Sequence, residues 1–355
     1  MNYAIYPYSD ELYPILENKN ELIDGIEISA VVYPLSWKKR ILHTDALSGY
    51  VFGSDFRELI NTADGVIFAD ITGRDFMYDD IIGKARYALS VGKDIIFCTA
   101  VKKADSEKLA AEFPERSITM MFENTVNYGA DAYKHENIGC VAVGIGELYR
   151  GIDNVAAAVG VTAEFRKKGF KTALISVNKT LSIIGAYHFP VEIFRSGMDI
   201  EQMVGVLNAF FVGLERKSHC DVMVIQFPDG MLKFSPDIAD SYGIKAFMTT
   251  RAVAIDYFVL VSTLEIIHQE AYERLKLIFE KRYGISLDSC LIKKVMIDRA
   301  YSVEVNYIQY TRNRINDNEA LYAELKKEMN DIIISELDDR NIFGLIADDC
   351  VKKLS

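Results

Sequence analysis

The sequence lacks most of the residues and patterns that usually announce a chemistry. Its 355 residues include one tryptophan, seven prolines and five cysteines. Cys98, Cys140, Cys220, Cys290 and Cys350 are scattered and odd in number, and no two are spaced as a metal or redox pair. A disulfide scaffold and a structural zinc site are therefore excluded, and buried thiols in a reducing cytosol are expected. No apolar run approaches the ~18 residues that a membrane helix needs. The start, Met1-Asn2-Tyr3-Ala4-Ile5-Tyr6-Pro7-Tyr8, has neither the basic region nor the cleavage pattern of a signal peptide and reads as a first β-strand. A cytoplasmic location is expected. Basic excess is also missing: 40 Lys and Arg stand against 51 Asp and Glu, a net charge of −11. That balance excludes general affinity for nucleic acid or anionic membrane. Lys38-Lys39-Arg40 and Arg166-Lys167-Lys168 lie at element ends and read as solvated turns.

What is present is a repeated alternation of β-branched runs with amphipathic helices. In the first part, strands are expected at Tyr3–Tyr6, Ile26–Val32, Gly65–Ala69 and Asp94–Cys98. Helices are expected at Ser9–Asn18, Asp55–Asn61 and Tyr78–Val91, the last with Ile81, Ile82, Ala85, Ala88 and Leu89 on one face. Such alternation implies a parallel sheet with right-handed crossovers, a Rossmann-like domain over 1–130. No G-x-G-x-x-G follows its first strand, so dinucleotide binding has little support there.

A second series covers 137–315. Strands are expected at Ile138–Val143, Lys171–Val177, Asp221–Gln226, Lys245–Thr249, Tyr257–Ser262, Leu291–Ile297 and Val303–Ile308. Helices are expected at Asn154–Lys168, Asp199–Lys217 and Gln269–Tyr283. The tail, 316–355, reads as one or two amphipathic helices with Leu321, Leu325, Met329, Ile332 and Ile333 on a stripe. Polar residues between Tyr128 and Asn137 mark the domain boundary. The fold class is α/β, with a Rossmann-like sheet followed by a sheet of the phosphate-loop type and a helical tail.

The second series owes that type to Gly144-Ile145-Gly146-Glu147-Leu148-Tyr149-Arg150-Gly151-Ile152-Asp153, set between a strand and a helix. From Gly146 the glycines fit G-x-x-x-x-G-K-[ST], but Ile152 replaces the lysine and Asp153 the hydroxyl residue. The lysine would hold the β- and γ-phosphates and the hydroxyl would hold Mg²⁺. Mg²⁺ is therefore not expected, and a nucleotide or other anion at the degenerate loop stays open as a ligand. If an anion binds, Arg150 is the side chain to supply the missing charge, since a guanidinium takes phosphate bidentately. The alternative is a tight turn with Asp153 as the helix cap.

Other candidates lie at the expected carboxyl ends of the strands, where ligands of such sheets bind. Gln226 occupies the position of a magnesium-holding acid, and Asp229, in Pro228-Asp229-Gly230, is the nearest carboxylate, on what reads as an ordinary turn. Asn178 and Lys179 follow the next strand, and Arg251 and Asp256 flank a short loop. In the first domain Asp70-Ile71-Thr72-Gly73-Arg74-Asp75 is the best polar cluster. His188 and His219 have no visible nucleophile and acid to form a triad.

With the loop, the Gln226–Gly230 segment, Tyr6-Pro7-Tyr8-Ser9-Asp10-Glu11 and Asp256-Tyr257 in view, the chain resembles a clostridial family of peptide maturation system proteins. These accompany small ribosomally made, bacteriocin-like peptides and radical maturases. The resemblance implies an accessory role with a precursor peptide or a maturase enzyme as partner, and it supplies no catalytic residue. Family loops carry a lysine further along, from which Ile152 and Asp153 depart. The domain order also looks like that of a bacterial family that includes D-glutamate N-acetyltransferases. The competing expectation is therefore an enzyme: an atypical ATP- or GTP-dependent one using Arg150 and Asp229, or an N-acyltransferase acting between the domains. A homodimer through apolar faces of the tail or second domain is expected.

Overall fold

The computed structural model describes the chain except residues 41–46, 71–76, 122–134, 240–241, 264–268, 313–324, 326, 328, 330 and 355. The chain divides into two compact units, Met1–Thr125 with Asn178–His188, and Val126–Val177 with Phe189–Ser355. Most of the boundary expected between Tyr128 and Asn137 lies outside the described residues. None of the described helices is long and apolar enough to cross a membrane.

The first unit holds a sheet of strands β1 (Asn2–Tyr6), β2 (Glu27–Val32), β3 (Val51–Gly53), β4 (Gly65–Phe68), β5 (Asp94–Phe97) and β6 (Ile118–Met120). All pairs are parallel, in the order β3-β2-β1-β4-β5-β6. This is the doubly wound Rossmann order, which reverses beside β1. Helices α1 (Tyr13–Glu17), α2 (Phe56–Leu59), α3 (Tyr78–Ser90) and α4 (Lys103–Glu112) accompany it. The α3 stripe buries Ile81, Ala85, Ala88 and Leu89 in the same core as Phe68 and Phe97, whose rings stack 5.3 Å apart. Asp55 starts α2 by accepting the N–H groups of Arg57 and Glu58 at 3.0 and 3.1 Å.

In the second unit the strands are β7 (Val141–Glu147), β8 (Thr172–Ser176), β10 (Val222–Gly230), β11 (Tyr257–Thr263), β12 (Ser289–Lys293) and β15 (Ile333–Glu336); the short β9 (Tyr187–His188) belongs to the first unit. The unit's own six strands run parallel in the order β15-β12-β11-β7-β10-β8. Every residue of β11 is buried, as expected of a parallel strand covered on both faces. The helices are α5 (Asn154–Lys167), α6 (Ile200–Ser218), α7 (Ile244–Ala252), α8 (Gln269–Ile278), α9 (Arg299–Glu304) and α10 (Asn341–Leu354). A small antiparallel ribbon pairs β13 (Val295–Ile297) with β14 (Tyr310–Arg312).

Several segments differ from the sequence expectation, among them Leu291–Ile297, which divides between β12 and β13 of different sheets. Lys245–Thr249 lies within α7; its β-branched threonines fit a helix because Thr249 and Thr250 donate back to the carbonyls of Lys245 and Phe247, each at 2.9 Å. Val303–Ile308 begins in α9, which Asp298 caps by accepting the Tyr301 N–H at 3.0 Å. Pro228-Asp229-Gly230 belongs to β10. The ladder there advances from Gln226 to Gly230 on β10 but only from Ile145 to Glu147 on β7, so the turn-like residues form a bulge. In the tail, Ile333–Glu336 is the edge strand β15; the run Ile332-Ile333-Ile334 suits either period.

Helix α5 is unusually apolar, burying Val155, Ala157, Ala158, Val159, Gly160, Val161 and Phe165. Its small residues let α10 approach, and Phe343 lies where a side chain on Gly160 would stand. Alanine is the better helix former by ~1 kcal/mol. Overpacking costs ~1–3 kcal/mol, which outweighs that gain. Gly160→Ala is therefore expected to lower the unfolding midpoint in urea, whereas Gly344→Ala, with only the Glu164 carboxylate 3.5 Å from the new methyl, should not.

Candidate functional site

The phosphate-loop frame is present in three dimensions, but each of its working positions holds something else. Gly144 and Gly146 are residues of β7 rather than of the loop. A Cβ on Gly144 would come within 2.8 Å of the Phe258 ring, and one on Gly146 within 2.6 Å of it. Ring packing is what requires these two glycines. The chain leaves β7 at Glu147 and turns through Gly151 and Asp153, both at positive φ (85° and 106°), into α5. Glycine accepts that conformation freely, whereas an aspartate does so at a cost.

Glu147 folds back into this turn. Its carboxylate accepts the N–H of Gly151 at 2.9 Å and that of Asp153 at 3.1 Å. These amides precede a helix and sit where a bound phosphate would take its hydrogen bonds. The cradle thus already holds a carboxyl group of its own chain. Burial pushes the Glu147 carboxyl up to about 7; the two N–H bonds oppose that rise, and the charges of Asp153 and Asp229 add to it.

The missing lysine leaves Ile152 buried in the core. Asp153 caps α5 through the Ala156 N–H at 3.4 Å and pairs with Lys293 of β12 at 2.6 Å. Asp229, itself at positive φ and nearly enclosed, pairs with Lys245 at 2.9 Å and lies 3.7 Å from Arg150. Arg150 therefore serves Asp229 and the face of Tyr307, 5.4 Å away, instead of the amides that hold Glu147. Asp153 and Asp229 with Lys293, Lys245 and Arg150 thus form one charged patch beside the buried Glu147. The ribbon covers the turn: the Tyr310 hydroxyl donates to the Arg150 carbonyl at 2.9 Å, and Tyr149 packs on the Ile238, Ile297 and Ile308 cluster.

Gln226 stands where a metal-holding acid would be, and both of its polar atoms are engaged. The Ser176 hydroxyl donates to its carbonyl, and its amide donates to Asn154 Oδ1 at 2.6 Å. Asn154 Nδ2 in turn donates to the Phe227 carbonyl at 3.2 Å. The chain is buried throughout, so each member satisfies the next. No group of three or more His, Cys, Asp or Glu among the described residues could hold a metal.

Of the other sequence candidates, Arg251 ends α7 and donates to the Tyr283 carbonyl at 2.7 Å, closing a helix end. Asn178 and Lys179 belong to the first unit. The Asn178 side chain caps a turn by accepting the Thr180 N–H at 2.9 Å, and the Lys179 N–H reaches Asp70 at 3.3 Å. Burial raises the Asp70 carboxyl above its ordinary range, an effect Lys179 partly offsets. The rest of that cluster, 71–75, lies outside the described residues. The sequence reading missed Lys245 and Lys293, the cations that neutralise the patch; spacing across 140 positions could not reveal the latter.

The first unit has its own cavity of about 700 Å³, lined by Asp55, Phe56, Arg57, Asp80, Lys84 and Tyr87 beyond the carboxyl end of β3. Lys84 is bonded to Asp80 and lies 4.8 Å above the Tyr6 ring.

This two-sheet arrangement matches the crystal structure of a DUF1611 family protein from Anabaena variabilis, with a TM-score of 0.63 over 99% of each chain at 12% identity. The likeness shows a shared α/β fold. Two weaker matches fall short of that. The nucleotide-binding protein in complex with ADP from Archaeoglobus fulgidus covers 60% of this chain and 87% of its own, with 12% identity and a TM-score of 0.32. Chloroplast FtsY from Physcomitrella patens covers 96% and 95%, with 12% identity and a TM-score of 0.34. No protein-family model and no curated protein matches the sequence.

The protonation of Glu147 gives a measurable signature. Its folded value of about 7 exceeds the ordinary 4.5, so between those values the native state binds more protons than the unfolded one. Stability should therefore be greatest at the acid end of the window and fall as pH rises through it, by up to ~3 kcal/mol from this group. Glu147→Gln should flatten the slope of unfolding free energy against pH between 5 and 8. An unchanged slope would place the titration elsewhere.

Proposed function

We propose that this protein is a non-hydrolytic accessory factor in the maturation of a ribosomally made, bacteriocin-like peptide. The second unit keeps the frame of a nucleotide hydrolase and serves as a scaffold for a precursor peptide or a maturase. The single observation that carries the non-hydrolytic part is the Glu147 carboxylate on the Gly151 and Asp153 amides. Phosphate entering the turn would have to displace an internal anion and would meet Asp153 and Asp229 beside it. The losses at Ile152 and Gln226 agree, since Ile152 has no polar side-chain atom and both polar side-chain atoms of Gln226 are already bonded to Ser176 and Asn154. The connection to peptide maturation rests on the Tyr6-Pro7-Tyr8 start, the loop, the Gln226–Gly230 segment and Asp256-Tyr257.

Calorimetry of the purified protein with MgATP, MgGTP and acetyl-CoA should give no binding heat, and no phosphate should be released from either nucleotide. Phosphate release above a no-protein blank would overturn the non-hydrolytic reading. The partner is found by co-purification from the native host, where a precursor peptide or its maturase should be retained. Recovery of neither would remove the maturation role.

A further inference from the structure

The sequence spacing of the cysteines conceals a pair. Cys140 immediately precedes β7 and Cys220 lies two residues before β10, and these strands are neighbours paired from Val141 and Val222 onward. The fold brings the two sulfurs to 3.8 Å. With strands ~4.8 Å apart and a rise of ~3.3 Å per residue, a one-residue offset gives an α-carbon separation near 6 Å, within the range a disulfide spans. Rotation of the side chains can close the remaining gap.

The surroundings favour reaction at this pair over the other thiols. Cys140 is part-exposed, and Cys220, itself buried but 8% exposed, lies at the same sheet end beside the helix end at His219. The Cys220 thiol donates to Cys140 Sγ, and because Cys140 can donate in turn to an ionised Cys220, the contact holds Cys220 down at about 7 while Cys140 itself is raised. Nearby Glu215 opposes both ionisations, and its carboxylate is already bonded to the N–H groups of Gly139 and Cys140 at 2.6 and 2.7 Å. Cys98, Cys290 and Cys350 are more deeply buried, at 0–1% exposure, and burial pushes each up to about 12.

We propose that Cys140 and Cys220 form a reversible, redox-active disulfide. With a small-molecule disulfide such as oxidised glutathione as the oxidant, the Cys220 thiolate attacks one sulfur and expels one glutathione thiolate. Cys140 loses its proton and attacks Cys220 Sγ in the resulting mixed disulfide, expelling the second glutathione thiolate. Two cysteine thiols are oxidised, one disulfide is reduced, and the two thiol protons finish on the two glutathiones. The bond fastens together the amino ends of β7 and β10, the strands that carry Glu147 and Asp229 at their other ends.

The test equilibrates the native full-length protein in glutathione buffers of graded redox ratio. Acid quenching, denaturation and alkylation of the remaining thiols then precede mass measurement and peptide mapping. The expected result is a loss of two of the five thiols, a linked peptide joining Cys140 to Cys220, and full recovery under reduced glutathione. Cys140→Ser should stop at one mixed disulfide on Cys220, and Cys220→Ser should take up no glutathione at Cys140 at the same ratio. Five thiols persisting in the native protein at every ratio, or linkage through Cys98, Cys290 or Cys350, would overturn the proposal. The wild-type map decides the outcome even if a variant fails to fold.

Discussion

The second unit depends on one carboxylate satisfying two backbone donors. At the turn between β7 and α5, amide groups would face inward with no partner unless an anion or water met them, and unmet buried donors cost ~1–3 kcal/mol each. Glu147 meets two of them from within the chain. The price is a buried acid whose charge is suppressed, and the rest of the patch follows from that. Asp153 and Asp229 are near enough to matter electrically, and each is answered by a lysine from a distant element, Lys293 on β12 and Lys245 on α7.

The same constraint separates shape from chemistry. A strand, a tight turn and a helix are present where the lysine, hydroxyl and metal-holding acid of a phosphate loop are not. Ile152 goes into the core, and Gln226 joins a buried chain running from Ser176 to Asn154 and the Phe227 carbonyl. Such a chain is stable because every polar atom in it is used, and for the same reason it has little capacity to bind an ion. The ribbon of β13 and β14 then covers the turn, with Tyr310 bonded to the Arg150 carbonyl and Tyr149 of the turn packed on the cluster that includes Ile297.

Much of the architecture was legible because it is written in local periodicity. The α3 stripe from Ile81 to Leu89 and the buried run of β11 identify their elements without knowledge of the fold. The failures also have local causes. Lys245–Thr249 looked like a strand because threonine is β-branched, and only hydroxyl bonds to preceding carbonyls reveal the helix. Pro228-Asp229-Gly230 looked like a turn because its residues favour one, whereas β10 continues through it as a bulge. At the site, the sequence showed which groups were missing but not what replaced them. Arg150 was the nearest cation along the chain, yet the structure commits it to Asp229 and Tyr307. Lys293 and the meeting of Cys140 with Cys220 arise from strand order, which spacing does not encode.

Gly144 and Gly146 lie under the ring of Phe258, where any larger residue would collide. Their spacing is therefore enforced by an aromatic neighbour in the sheet, independently of any nucleotide. With no lysine, hydroxyl or magnesium-holding acid at the turn, the core would still compel the chain to keep the glycines. Glycine pattern after a strand is then testimony about what the interior tolerates, and by itself it is no mark of triphosphate turnover.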